Sequence, residues 1–177
     1  MGCLSKLNKA ILVDCDGGAP GIAEMLLINF ADIATKSVAD GMATITLASG
    51  AKAVLVESNK KGVNATEELK QNDNAPTALA QAVAFTLYQG NPNGTQIVNQ
   101  ILNGTFLAIA KSKAGLTRVY GLNYGLTMSA FTEDMNANGG FTTITLSTPE
   151  NVIGEMRVSF ADASYNTLRA AAIVTES

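Results

Sequence analysis

Short runs of apolar and β-branched residues follow one another along this chain, separated at close intervals by glycine, asparagine and proline. Several of the runs alternate with the period of two that places successive side chains on opposite faces of a strand. We interpret as strands the runs Lys9–Cys15, Ile22–Phe30, Ala43–Leu47, Lys52–Ser58, Thr77–Gln89, Thr105–Ser112, Gly115–Leu122, Gly125–Thr132, Phe141–Asn151, Gly154–Phe160 and Leu168–Thr175. Strands at this spacing predict a mainly β fold, either a β-sandwich or a barrel-like tube.

Two pairs of runs are expected to be neighbours in a sheet because a short turn joins them. Ala43–Leu47 leads through Ala-Ser-Gly into Lys52–Ser58, which predicts a hairpin. Thr105–Ser112 and Gly115–Leu122 are separated by the turn at residues 113–115. Antiparallel strands joined by a few turn residues normally pair with each other.

One stretch between the strands, Gly94–Gly104, has the pattern of a helix instead. Thr95 is a plausible N-cap, and Asn103-Gly104 would end the helix in the left-handed conformation. An apolar face of four residues runs between these signals and predicts one short helix over residues 95–103 that lies against a sheet. The helix packing face consists of Ile97, Val98, Ile101 and Leu102.

The length of 177 residues fits a single domain over residues 1–177. Two segments stand apart from the predicted strands: an N-terminal arm of about residues 1–21, and the polar stretch Ser58–Pro76. Because the second segment is rich in polar residues and ends in proline, we expect a long loop or a protruding hairpin there.

The composition argues for a surface that is partly covered by partner subunits. Charged residues make up only 15% of the chain, while hydrophobic residues make up 47%; typical soluble domains have about 25% charged residues. The net charge of −3 argues against a nucleic-acid docking surface, which needs a basic patch. No apolar run approaches the roughly 18 residues of a membrane span.

Side chains suited to catalysis or metal binding are scarce. The chain has no histidine, and the spacing of Cys3 and Cys15 fits no zinc site. The three carboxylate pairs Asp14/Asp16, Glu67/Glu68 and Glu133/Asp134 lie in polar stretches, where solvated turn residues are the better interpretation. We therefore expect no enzyme activity, no catalytic residues, no cofactor and no metal.

Three long stretches of the sequence resemble one known family. They are "DGGAPGIAEMLLINFADI", "AFTLYQGNPNGTQIVNQILNGTFLAIAKSKAG" and "RVYGLNYGLTMSAFTEDMNANGGFTTITLSTPE". Their order is similar to that of the tail tube (major tail) proteins of tailed bacteriophages, in particular virion structural proteins of phages of Bacteroidetes hosts. Residues 151–177 depart from the shorter form of that family.

The resemblance implies a β-sandwich flanked by one helix, six copies in a ring, and stacked rings whose lumen conducts phage DNA into the host. The polar stretch would then grip a neighbouring subunit, and the N-terminal arm would be a second contact between rings. The candidate interface residues are Lys60, Lys61, Asn64, Glu67, Glu68 and Lys70.

Under this resemblance the partners are copies of the chain itself, other tail or connector proteins, and DNA that passes without specific binding, with no membrane. The protein would be assembled in the bacterial cytoplasm and located in the virion. Two alternatives remain open: a capsid decoration or other oligomeric β-sandwich protein of the virion, and the inner tube of a contractile injection system.

Overall fold

The computed structural model describes residues 21–57, 62–88, 92–136 and 141–173, which form two β-sheets and two α-helices. The strands are β1 (Ile22–Asn29), β2 (Ile33–Ala39), β3 (Met42–Leu47), β4 (Val54–Glu57), β5 (Val63–Lys70), β6 (Ala78–Leu87), β7 (Phe106–Ser112), β8 (Thr117–Tyr120), β9 (Thr127–Glu133), β10 (Thr142–Ser147) and β11 (Val158–Phe160). The helices are α1 (Pro92–Leu102) and α2 (Asp162–Ala170), and a short 3-10 turn covers Phe30–Asp32. The prediction of a mainly β, sandwich-like fold is confirmed, and the sheets of the described ranges do not close into a barrel.

The larger sheet, which we call sheet A, has seven strands in the order β2-β3-β11-β8-β7-β1-β4. The smaller sheet, sheet B, has four strands in the order β5-β6-β10-β9. Neighbouring strands are antiparallel except β11 and β3, which run parallel. The predicted pairing across the turn at residues 113–115 is confirmed by β7 and β8.

The middle of sheet A is the central layer of the fold, because most of β1 and β7 is buried on both faces. Met25 and Leu27 of β1 point toward sheet B and α1, whereas Leu26 and Ile28 point toward α2. All four side chains are almost fully buried. This arrangement explains why β1 is continuously apolar, since a strand covered on both sides needs no polar face.

Helix α1 packs against the core between the sheets through Ile97, Val98 and Ile101. The predicted packing face is wrong for Leu102, which is 49% exposed in the last turn. The helix begins at Pro92 rather than after Thr95, because proline suits the first turn of a helix.

The predicted left-handed stop at Asn103-Gly104 is also wrong, since neither residue has a positive φ. The Gly104 amide instead donates to the Ile101 carbonyl over 3.1 Å, which ends the helix in a tight turn. Glycine is needed there for another reason. A Cβ on Gly104 would lie 2.3 Å from the Phe106 ring.

A second helix, α2, replaces the start of the predicted strand Leu168–Thr175, so the prediction of a single helix is wrong. Tyr165, Leu168 and Ala172 all contact the core on the outer face of sheet A. Tyr165 and Leu168 are three residues apart and so lie on one side of α2, and Ala172 follows just beyond the helix. Beyond the helix, Ile173 forms a parallel bridge with Val54.

The predicted hairpin of Ala43–Leu47 with Lys52–Ser58 is wrong as well. Strand β3 pairs with β2 and β11, whereas β4 lies at the opposite edge of sheet A beside β1. Alternation identifies a strand but does not choose its partner, and here the connecting loop carries the chain to the far edge.

Of the two alternatives for the polar stretch Ser58–Pro76, a long loop or a hairpin, the described residues fit the hairpin better, because much of the stretch is a strand that pairs antiparallel with the next one. Residues 63–70 form β5, which pairs with β6 along its whole length. The run Lys9–Cys15 and the arm before Gly21 lie outside the described residues.

Candidate functional site

The predicted interface residues divide between the two faces of the edge strand β5. Asn64 and Glu68 are exposed on the outer face of sheet B, the face that points away from sheet A. Glu67 points inward, and its side chain is 14% exposed. Lys70 also has an internal role, because its ammonium donates to the carbonyls of residues 149, 150 and 152 over 3.3, 3.0 and 2.6 Å. Lys60 and Lys61 lie outside the described residues.

Glu67 belongs to a polar network between the sheets, so its interpretation as a solvated turn residue is wrong. Its carboxylate accepts a hydrogen bond of 3.0 Å from the Gln81 side chain. It also forms ion pairs with Arg118 at 3.6 Å and Arg157 at 3.1 Å. These partners come from β6, β8 and the segment before β11, so Glu67 connects both sheets.

Gln81 lies at the centre of this network and is only 1% exposed. Its side chain donates to the Met156 carbonyl at 3.3 Å and accepts from the Gly121 amide at 2.9 Å. Its main chain exchanges hydrogen bonds with Thr148. Every polar atom of the Gln81 side chain is therefore bonded within the fold, which is what a buried amide requires.

A second buried acid, Glu155, holds the loop that follows β8. Its carboxylate accepts hydrogen bonds of 2.8 Å from the amides of Asn123 and Tyr124. On the carbonyl side of the same loop, the Lys36 ammonium donates to Leu122 at 2.6 Å and to Asn123 at 3.1 Å. The loop is thus held by an anion at its amides and by a cation at its carbonyls.

Burial shifts the pKa of several groups here. It raises the pKa of Glu155, while the hydrogen bonds from Tyr124 and Asn123 and the charge of Lys36 act in the opposite direction. Burial also lowers the pKa of Lys36, against the attraction of Glu155. The pKa of Tyr120 is raised to about 12, mainly by burial and also by the negative charge of Glu67. The network therefore holds charged groups where desolvation is costly.

The sequence pattern did not reveal this network as a whole, because its members come from distant parts of the chain. One local signal was present. Val63, Ala65, Glu67 and Leu69 alternate, so the pattern places Glu67 on the same face as apolar residues. The donors and acceptors of Glu67 and Gln81 are used within the fold, which indicates a role in holding the two sheets together.

Sheet B is open at both edges. Among the described strands, none pairs with the outer side of β5 or of β9. In sheet A, β2 is likewise an edge strand with no described partner on its outer side. The outer side of β4 is partly covered, because Ile173 exchanges backbone hydrogen bonds with Ala53 and Leu55. Open edges present unpaired backbone groups to any strand that approaches them.

Exposed apolar side chains lie beside both open edges. Near β5, Leu69 is 65% exposed and Met156 is 58% exposed. Near β9, Phe131 is 44% exposed, and the half-exposed Leu102 lies on α1, which contacts β9. Side chains of this kind at an unpaired edge are typical of a surface that a partner covers.

The outer face of sheet B carries mostly small side chains and few charges. Alternation places on it small or hydroxyl-bearing side chains from β6, β10 and β9: Ala80, Ala82, Ala84, Thr86, Thr143, Thr145, Ser147, Ala130 and Thr132. On β5, Glu68 and Lys70 add one charge of each sign, and the Lys70 ammonium is held by carbonyls.

Most basic side chains of the described ranges are held by carboxylates or backbone carbonyls of the same chain. Those that bind carboxylates or backbone carbonyls are Lys36, Lys70, Lys111, Arg118, Arg157 and Arg169. Several acidic side chains, such as Glu57, Glu68 and Glu150, are exposed. This distribution disfavours phosphate binding at the described surface.

No cluster of three or more potential metal-ligating side chains occurs in the described ranges. Neither helix of this part of the chain is long and apolar enough to span a membrane. The chain matches no protein-family model, no curated protein and no solved structure. The fold and its surfaces are therefore the basis on which a function can be inferred.

Proposed function

We propose that this protein is a structural subunit of a virion, the tail tube subunit of a tailed bacteriophage. Copies of it would join head to tail into stacked, hexameric rings whose lumen conducts DNA. The open edges of sheet B are the observation that carries this proposal. The resemblance of the sequence pattern to tail tube proteins supplies the expected stoichiometry and the cargo.

Head-to-tail assembly requires two different surfaces on one subunit, and β5 and β9 provide them at opposite edges of the same sheet. Pairing β5 of one copy with β9 of the next would satisfy both rows of backbone groups. A contact between unlike surfaces closes into a ring when its rotation divides a full turn.

The apolar side chains beside the edges support the same contact. Leu69 and Met156 of one copy would pack near Phe131 and Leu102 of the next, and all four are substantially exposed in the single chain. Burial of apolar area adds a driving force of roughly 25 cal/mol per Å² to the backbone pairing.

A ring of this kind presents the outer face of sheet B to the lumen. The described strands place small and hydroxyl-bearing side chains on that face, and its Lys70 ammonium is already bound by carbonyls. Such a wall suits DNA that slides without being retained, because retention grows with the number of phosphates that a protein neutralises.

Negative-stain microscopy and light scattering of the purified full chain test the proposal. We expect rings or rods with a central hole. A monodisperse monomer at high concentration would contradict it, and trimers or isolated compact particles would favour the decoration alternative.

A matched pair of threonine variants tests which face lines the lumen. Thr143→Lys puts a cation on the outer face of sheet B, whereas Thr44→Lys puts one on an exposed position of β3 in sheet A. Assembled Thr143→Lys tubes should retain linear duplex DNA at low salt but not a circular plasmid, which has no end to thread. Equal retention of both DNA forms, or retention by Thr44→Lys alone, would contradict this orientation.

A further inference from the structure

A groove of about 620 Å³ opens between the two sheets beside the edge strand β5. Val63 and Ala65 of β5 line it on one side, and Ile22 and Ala110 of sheet A line it as well. Val63 and Ala110 also belong to the core between the sheets, so the groove is continuous with that core. An apolar cleft therefore lies directly beside the edge at which the proposed assembly adds the next copy.

Positive charge surrounds this groove. Lys113 and Arg118 line it, and Arg157 reaches the same carboxylate as Arg118 does. The guanidinium groups of the two arginines lie 3.6 and 3.1 Å from Glu67. One carboxylate cannot balance two guanidinium charges, and the Arg157 side chain is 60% exposed, so a second anion can reach it. An occupant of the groove should therefore combine an apolar side chain with a carboxylate.

The end of β9 has this complementary chemistry. Glu133 is exposed at the last position of the strand, and Met135 is 82% exposed in the turn that follows. Phe131 and Glu133 both point toward the side of sheet A, because their partners on β10, Ile144 and Thr142, are buried. A carboxylate and a long apolar side chain thus lie within two residues of each other at one corner of sheet B.

The direction of the strands brings this corner of one copy toward the groove of the next. Successive strands of sheet B are antiparallel in the order β5-β6-β10-β9, so β5 and β9 run in opposite directions. Rotation about a ring axis keeps the direction of each strand along that axis. In a ring, β9 of the next copy therefore also runs antiparallel to β5.

The contact described above then sets the register of the two strands, because it places Phe131 of one copy near Leu69 of the next. In an antiparallel pair, Glu133 is level with Glu67 two residues further along. The turn that contains Met135 is level with Ala65, which lines the groove. The carboxylate therefore arrives at the two arginines, and the methionine arrives at the apolar wall.

We propose that the end of β9 docks into the groove of the neighbouring copy, with the Met135 side chain against the apolar wall and the Glu133 carboxylate beside Arg118 and Arg157. The inference rests on the proposed head-to-tail assembly and names the residues that fix the register of its contact. A second copy is the occupant that the structure favours, because its exposed carboxylate and methionine match the charge and the apolar lining of the groove.

Disulfide trapping tests the position of Met135. Ala65→Cys and Met135→Cys are prepared as separate proteins in a Cys3→Ser, Cys15→Ser background, then mixed and assembled with oxidised glutathione as the oxidant. We expect a covalent dimer that contains one copy of each. In the control, Met42→Cys at a 43% exposed methionine of sheet A replaces Met135→Cys. It should cross-link about tenfold more slowly, because docking holds two thiols at a high effective concentration.

The outcomes separate this inference from the function on which it rests. If light scattering shows that the mixture assembles but no dimer of the two variants forms, the docking is wrong and head-to-tail assembly stands. If neither the mixture nor the unmodified chain assembles, both proposals are wrong. Covalent dimers of Met135→Cys alone would mean a two-fold contact and would also overturn the docking. Thermal unfolding of each reduced variant verifies that it is folded.

The salt dependence of assembly tests the ionic part of the contact. Glu133→Gln removes the carboxylate, whereas Glu68→Gln removes an exposed carboxylate on the outer face of β5. We expect Glu133→Gln to raise the concentration for half-assembly about fivefold at low salt, and to lose most of that effect at about 1 M salt. Glu68→Gln should leave it unchanged. Equal effects of the two variants, or an effect of Glu133→Gln that persists at high salt, would contradict the ion pair with the arginines.

Discussion

Gln81 and Glu67 face each other on the neighbouring strands β6 and β5, where the Gln81 side-chain nitrogen donates a hydrogen bond of 3.0 Å to the Glu67 carboxylate. The same Gln81 side chain reaches Gly121 and Met156. One buried amide therefore links the edge strand of sheet B to segments that flank β8 and β11 of sheet A.

Gln81→Leu should destabilise the fold by about 2–4 kcal/mol, because it keeps the volume but removes the hydrogen bonds of a buried group. The Gly121 amide and one Glu67 oxygen would lose their partner. Urea unfolding followed by circular dichroism measures the loss. Gln96→Leu, at an exposed position of α1, is the matched control and should change stability by less than about 0.5 kcal/mol. Equal effects of the two variants would show that the network contributes nothing specific.

How far the sequence predicts the fold depends on how local each signal is. Alternation identified most strands, since it reflects which side chains of one segment face the core. It failed for the pairing of β3 and β4, because strand order depends on which edges are free in the whole sheet. It also failed for α2, because Ala161 at the N-cap makes no side-chain capping bond and Asp162 in the first turn is a weak start signal.

The polar network was the least predictable part of the candidate site. Glu67 and Glu68 are adjacent in sequence but lie on opposite faces of β5, one in the network and one exposed. Assigning β5 as a strand would have separated them. The partners Arg118 and Arg157 could not have been assigned, because only the tertiary fold brings them to Glu67.

Gly125 should not tolerate a side chain. Its φ is 75°, and a Cβ there would lie 2.3 Å from the Thr105 side chain and 3.1 Å from the Phe30 ring. We expect Gly125→Ala to cost about 2–5 kcal/mol, from left-handed backbone strain together with the steric clash. Thermal and urea unfolding measure the effect.

Gly41→Ala is the matched control for that variant. Gly41 has the same φ of 75°, but, its chain neighbours apart, no atom of the described residues lies within 4 Å of the position that a Cβ would take there. It should therefore show the backbone strain alone, about 1–2 kcal/mol. If the two variants were equally destabilised, the clash with Thr105 would carry no energy.

The contribution of Glu155 to the free energy of unfolding should decrease as the pH rises, whereas that of most carboxylates increases. Its pKa in the folded protein is raised above the ordinary value of 4.5, so the folded state holds this proton more tightly than the unfolded state. The resulting stabilisation is fully present below pH 4.5 and is lost as the pH rises through the raised pKa.

Comparison with Glu155→Gln isolates this contribution, because glutamine does not titrate. The free energy of unfolding of the wild type minus that of the variant should fall as the pH rises from 4.5 to neutrality. Urea unfolding at several pH values measures it. Glu150→Gln, at an exposed position, should give no such fall, and a rise with pH for Glu155 would contradict the raised pKa.

Head-to-tail assembly through sheet B predicts that two variants, each blocked at a different edge, can form one contact with each other but cannot assemble further. Leu69→Glu should block the β5 edge and Phe131→Glu the β9 edge, because each puts a charge into the apolar contact beside one edge. Each variant alone should be monomeric at concentrations at which the wild type assembles. Met42→Glu, at a 43% exposed methionine of sheet A, should assemble normally.

A mixture of the two variants should form dimers and nothing larger. The intact β9 edge of Leu69→Glu can pair with the intact β5 edge of Phe131→Glu, and the blocked edges then end the assembly. Native mass spectrometry of the mixture measures this directly. If the contact joined like edges instead, at least one of the variants alone would dimerise through its intact edge, because a two-fold contact uses the same surface twice.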